Sequence, residues 1–155
     1  MTTPTHAAAE ARIRELMKDR IEAVKAKDVE ALVSHHAPSV LAYDLLEPLQ
    51  YVGLDALRQR AKQWFDGYDG AMDYEIKGLH VTASDEVAFC HGLHHVKGTT
   101  KDGKTIDMYW RATECLRCLG GKWLIVHEHS SIPFDMASGK VSFDLKPEAP
   151  PAKAA

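Results

Sequence analysis

The hydrophobic pattern of this chain changes period once, near Gly70. Upstream, apolar residues recur at steps of three and four, the spacing of helices packed on one face. Downstream they alternate, the spacing of strands with one face buried. Helices first and long strands afterwards imply an α+β domain with its helices on one side of a sheet. At 155 residues there is one such domain to build.

The elements follow from that pattern. Ile13, Leu16, Met17, Arg20, Ile21 and Val24 place a first helix over Ala7–Lys27. Asp28 is positioned to cap a short second helix through Val29, Leu32 and Val33, which Pro38 ends. A strand over Ser39–Asp44 turns at Glu47-Pro48 into a short return strand over Leu49–Val52. Leu54, Leu57, Ala61, Trp64 and Phe65 form the stripe of a third helix, stopped by Gly67 and Gly70. Four strands follow: Met72–Val81, Glu86–Gly98, Thr105–Leu119 and Lys122–Pro133. Their connections are short and rich in Gly, Asp, Ser and Lys, so they pair as consecutive antiparallel hairpins. Residues 1–8 read as a flexible N-terminus, 9–137 as the domain and 138–155 as a C-terminal extension. The Pro- and Ala-rich last ten or so residues cannot repay their ordering entropy and are expected to be mobile.

Composition argues against several partners. A net charge of -3 offers no basic footprint for nucleic acid. No apolar run approaches the roughly 20 residues of a membrane helix, and no apolar leader opens the chain. Three cysteines, with Cys115 and Cys118 in a lone C-x-x-C on a strand-like run, read as reduced thiols of a cytoplasmic protein. Nine histidines is a high count, and His91, His95, His127 and His129 have spacings that permit a metal site without diagnosing one. No metal or other cofactor is assigned.

Three strings carry a family resemblance. Ala26-Lys-Asp-Val-Glu-Ala-Leu-Val is similar to the joint between the first two helices of the nuclear transport factor 2-like superfamily. Tyr51-Val-Gly-Leu-Asp-Ala-Leu resembles the start of its third helix. Gly121-Lys-Trp-Leu-Ile-Val-His-Glu-His-Ser-Ser-Ile-Pro resembles the last strand of its SnoaL-like members. The resemblance spans about Ala9 to Pro133 and implies a cone-shaped fold: a curved, mixed or antiparallel sheet wrapped around three N-terminal helices, enclosing a small-molecule pocket. The superfamily holds isomerases, cyclases, dehydratases and non-catalytic modules, so fold alone leaves function open.

Comparison with the ketosteroid isomerase-like members orients the strands. Val126, Glu128 and Ser130 then face the pocket, and Trp123, Ile125, His127 and His129 the convex side, where the resemblance implies a homodimer involving Asp107 and Arg111. It places a general base at Asp44 and a second carboxylic acid at Glu114, with His94 as an alternative acid. Arg20 stands where those isomerases carry a tyrosine. That departure points away from steroid chemistry and toward an acidic ligand gripped by a guanidinium. Parity and helix spacing add Leu57, Ala61, Trp64, Phe65, Cys90, Met108 and Trp110 to the wall. Asp44 as a turn cap, Glu114 as a structural partner of an arginine, and the tryptophans as plain core remain open. The function expected is binding of a small hydrophobic or acidic compound, with cofactor-free proton transfer by an isomerase, cyclase or dehydratase. A non-catalytic binding or assembly module is the alternative.

Overall fold

The structure, a computed structural model, describes residues 4–148. Three helices come first with two strands among them: α1 (Pro4–Lys25), α2 (Val29–Val33), β1 (His36–Tyr43), β2 (Tyr51–Val52) and α3 (Leu54–Asp66). Four long strands complete the chain: β3 (Tyr68–Ala83), β4 (Val87–Thr100), β5 (Thr105–Leu119) and β6 (Lys122–Ser131). The first helix extends to Pro4, so most of the segment expected to be a flexible N-terminus is helical, and residues 1–3 lie outside the described residues. Of the C-terminal stretch expected to be mobile, residues 149–155 also lie outside them.

The six strands form one curved, open sheet in the order β2-β1-β6-β5-β4-β3. All neighbours are antiparallel except β1 and β6, which run parallel. The first strand therefore pairs with the last, and the sheet is mixed. Asp28 caps α2 as its position implies, its carboxylate accepting the Ala31 N–H at 3.0 Å. Pro38 does not end that helix. It sits inside β1, where the pairing with β6 shifts register between His36 and Leu41, a place that tolerates a residue with no N–H to donate.

Curvature is built into β3 and β4. Gly78 takes φ +65°, a conformation other residues resist, at a register shift between Lys77 and His80. Opposite this bend, Gly92 has no room for a side chain: a Cβ there would stand 2.8 Å from Ile76 Cγ2 and 3.1 Å from the Lys77 carbonyl. The bulge and the missing Cβ let the two strands fold over α1.

The helices fill the concave side. Ile13, Leu16 and Met17 of α1 are fully buried against Cys90, Leu116 and Ile125 at the closed end of the sheet. Burying each such side chain stabilises the fold by about 1.5–3 kcal/mol before entropy is counted. Farther along, Val24 and α3 residues Ala61 and Phe65 pack on Tyr68, Met72 and Tyr74 of β3. The wider end, toward β1 and the end of β6, is not filled by this core, and there the cavity lies.

Candidate functional site

The cavity is about 330 Å³, within the usual range for a small-molecule site. Its wall draws on every layer of the fold: Arg20 from α1, His36 and Ala42 from β1, Leu57, Arg60, Ala61 and Trp64 from α3, Met108 and Trp110 from β5, Glu128 and Ser130 from β6. Asp44 follows directly on β1 at the mouth. Trp64 and Trp110 meet edge to face with ring centroids 6.1 Å apart and give the wall its aromatic character.

Two arginine–carboxylate pairs stand in this wall. Arg20 pairs with Glu128, and Glu128 Oε1 also lies 2.6 Å from His36 Nε2. Arg60 Nε lies 2.8 Å from Asp44 Oδ2, at an angle too bent for a hydrogen bond. Arg20 Nε and His36 Nδ1 are buried and have no hydrogen-bond partner among the described residues. Burial alone pushes the Glu128 carboxyl up, but Arg20 and His36 outweigh it and hold the group well below the usual carboxylate range. The charge of Arg20 is thus already met inside the protein.

Behind the wall lies a second polar layer. The Tyr74 hydroxyl bonds to His94 Nδ1, and the charge of Arg20 acts on it. His94 Nε2 lies 3.4 Å from Glu114 Oε1, and the Cys90 thiol donates to Glu114 Oε2 at 3.5 Å. Desolvation lowers His94 to about 3, with Arg20 adding to the effect, so the ring is neutral and its contact with Glu114 is not an ion pair at neutral pH. Burial raises Glu114 to about 7. Arg20 pulls it down and Glu128 pushes it further up. The neutral ring accepts from Tyr74 O–H at Nδ1, which puts its own proton on Nε2, and that N–H is buried without a hydrogen-bond partner among the described residues.

The expected residues separate accordingly. Arg20, Asp44, Leu57, Ala61, Trp64, Met108, Trp110, Glu128 and Ser130 share the cavity wall. His94 and Glu114 do not reach it; each is at most 1 % exposed and sits in the layer behind. Phe65 turns from the cavity into the core against Tyr68 and Met72, and Cys90 packs at the closed end beside Leu16. Val126 is misplaced by strict alternation. A register shift pairs Cys115 with His127 but Leu116 with Ile125, which leaves Val126 in a bulge and brings Ile125 into the core. Above the bulge the alternation holds: Glu128 and Ser130 face inward, while His127 and His129 pack edge-on against Tyr43 and His127 Nδ1 bonds to the Leu41 carbonyl.

Sequence reasoning missed His36, Arg60 and Tyr74. Arg60 had a readable signal, because it falls at i+3 from Leu57 and i−4 from Trp64 on the same helical stripe. On the outer face, His95 lies between Glu75 at 3.0 Å and Asp107 at 2.6 Å, and His80 stacks on His91 with centroids 5.2 Å apart. Among the described residues, no three His, Cys, Asp or Glu side chains converge to hold a metal ion.

This architecture, a curved open sheet closed over three N-terminal helices around a cavity, defines the class, and the sequence agrees. The SnoaL-like domain pattern matches residues 13–135, and the chain belongs to that family. A nuclear transport factor 2-like protein of unknown function from Pseudomonas putida is 33% identical, with a TM-score of 0.84 over 91% of this chain and 98% of that one. A ketosteroid isomerase-like protein from Erwinia carotovora atroseptica is 22% identical, with a TM-score of 0.67 over 78% and 93% of the two chains. A Caulobacter vibrioides protein with a cystatin-like fold shares 16% identity at a TM-score of 0.67, over 81% of this chain and 90% of that one. The last two likenesses concern the fold alone. No curated protein matches the chain.

Proposed function

We propose that the cavity binds a neutral, hydrophobic compound of one or two rings bearing a carbonyl group, and that the protein moves a proton on it without a cofactor, as an isomerase, cyclase or dehydratase does. The observation that carries this reading is the pairing in the wall: Arg20 with Glu128 and Arg60 with Asp44, set among Leu57, Ala61, Trp64, Met108 and Trp110. Each pair is neutral as a unit. Among the described residues a carboxylate entering the cavity would find no free cation and would bear its own desolvation cost. A carbonyl oxygen, by contrast, can accept from Arg20 Nε–H, which has no partner among the described residues.

In this reading Asp44 is the base. It stands at the mouth with its side chain 24% exposed, within reach of a bound compound, and Arg60 orients it. Asp44 takes a proton from the carbon beside the carbonyl and returns it at a second atom, which shifts a double bond or, where a β-hydroxyl leaves, releases water. His94 and Glu114 stand buried behind the wall and do not touch the compound.

The test is a thermal-shift screen of neutral aromatic ketones and lactones beside their carboxylic-acid counterparts, followed by incubation of the binders in heavy water. Stabilisation by ketones, with deuterium entering the carbon beside the carbonyl in wild type and not in Asp44→Asn, supports the reading. Stabilisation by acids alone overturns the ligand class. A second reading, a binding module, is favoured by one observation: the Asp44 carboxylate is already engaged by Arg60. Stabilisation by ketones without exchange would select it.

The convex face is proposed to pair two copies, supported by exposed Val87 and Phe89 beside the stacked His80 and His91. Sedimentation showing a monomer at both pH 5 and pH 8 would remove that proposal. No described helix is long and apolar enough to cross a membrane. Residence in the cytoplasm belongs to the same reading, supported by three unpaired cysteines.

A further inference from the structure

The family match ends at residue 135, but the cavity wall does not: Val141 and Phe143 line it from beyond that boundary. They are carried by a segment that folds on itself. Asp135 N–H donates to the Lys140 carbonyl at 2.8 Å, Ser142 N–H to the Pro133 carbonyl at 2.9 Å, and Asp135 Oδ2 accepts from Ser138 N–H at 3.0 Å. Phe134 and Val141 make a single antiparallel bridge. The backbone bonds of this turn are internal, so its shape does not depend on the sheet.

Farther on, the segment changes sides. Lys146 Nζ lies 3.1 Å from Asp107 Oδ1 and 5.7 Å from the centre of the Tyr109 ring. Asp107 and Tyr109 alternate with Met108 and Trp110, which face the cavity, so Lys146 has reached the outer face of β5. The anchor is held independently of the lysine. His95 stacks on Tyr109 with centroids 4.0 Å apart and bonds to the same Asp107 oxygen at 2.6 Å. Little else holds the segment, since Met136 is 83% and Phe143 57% exposed. Phe143 lines the cavity while more than half of its surface stays exposed.

We propose that residues 133–146 form a strap over the cavity mouth, fastened by Lys146 on Asp107 and Tyr109, and that Phe143 on its inner side selects flat apolar ligands. The proposal rests on the ligand-binding reading above. An exposed ion pair and a cation–π contact make a weak fastening, so the strap opens readily and sets how fast a ligand leaves.

The test uses the full chain, the neutral two-ring fluorescent ketone 6-propionyl-2-(dimethylamino)naphthalene as probe, and the variants Lys146→Met and Phe143→Ala. Lys146→Met is expected to release the probe about two- to fivefold faster, and to speed amide exchange over residues 135–143 by a similar factor. Phe143→Ala is expected to weaken probe binding about three- to tenfold. Probe binding in wild type with unaltered release, affinity and exchange in the variants overturns the strap and leaves the ligand reading standing. No probe binding in wild type counts against the ligand reading and overturns the selecting role of Phe143; the exchange comparison then decides the fastening by itself.

Discussion

Glu114 on β5 and Glu128 on β6 are direct partners on neighbouring strands, and the guanidinium of Arg20 acts on both carboxyls. Arg20 pairs closely with Glu128, which stays ionised, and Glu114 is left in a dry environment beside a like charge. One cation therefore divides two carboxyls into an anion on the cavity wall and a reluctant acid behind it.

That division gives a pH signature. Glu114 is raised to about 7 in the fold, so the folded state holds a proton that the unfolded chain releases above about pH 4.3. Its contribution is complete below the unfolded value and is lost as pH rises through about 7. His94, lowered to about 3, works in the opposite sense: its contribution is present above about pH 6.5 and is lost as pH falls toward 3. Because these slopes oppose each other, the informative quantity is a difference. Glu114→Gln should gain on wild type by on the order of 2–3 kcal/mol between pH 4.5 and pH 8. Urea unfolding at the two pH values measures it, and an equal gap at both would refute the assignment.

The Arg20–Glu128 pair should show strong coupling. Removing Arg20 alone, as Arg20→Met, leaves a buried carboxylate with His36 on one side and Glu114 on the other, and should cost about 3–5 kcal/mol. The double variant Arg20→Met, Glu128→Met removes both charges and should recover much of that loss. A double-mutant cycle in which the two losses simply add would show that the pair is not the unit described.

Asp44 and Arg60 should separate function from stability. They sit at the mouth with side chains 24% and 18% exposed, so Asp44→Asn should change unfolding by no more than about 1 kcal/mol. On the proposed mechanism it should slow deuterium exchange into a bound ketone by about 10²-fold or more. Exchange that proceeds at the wild-type rate would remove Asp44 from the chemistry.

The bend at Gly92 makes a backbone prediction. An alanine Cβ would press on Ile76 Cγ2 at 2.8 Å and on the Lys77 carbonyl at 3.1 Å, and the branched isoleucine has little room to turn aside. Gly92→Ala should destabilise by about 1–3 kcal/mol in thermal or urea unfolding. Gly103→Ala, where nothing lies within 4 Å but φ is +86°, isolates the conformational cost without the clash and should lose less.

The architecture was legible because a period switch, an Asp28 cap and short polar turns each have a local cause. Wall residues on uninterrupted alternation, such as Met108 and Trp110, were readable for the same reason. Val126 was not, since nothing in Ile125-Val126-His127 announces an extra residue, and the bulge is fixed by what the neighbouring strand and α1 require. His36 was hidden because its partner is 92 positions away. The depth of Glu114 and His94 was also hidden: parity gives the face a side chain occupies, not whether a core or a cavity lies in front of it.

The parallel pairing of β1 with β6 has a temporal consequence. The first of the described strands to be made has its long-term neighbour made last, and Arg20 meets Glu128 across 108 positions of chain. During synthesis the helices and the β3–β5 meander can assemble from local contacts, whereas closing that span must await the emergence of β6. Until then α1 holds a lone buried-type arginine, and β1 an unzipped edge. The cavity is thus the latest-maturing part of the molecule, and newborn chains stalled before residue 122 would possess the helices without the strand that completes its wall.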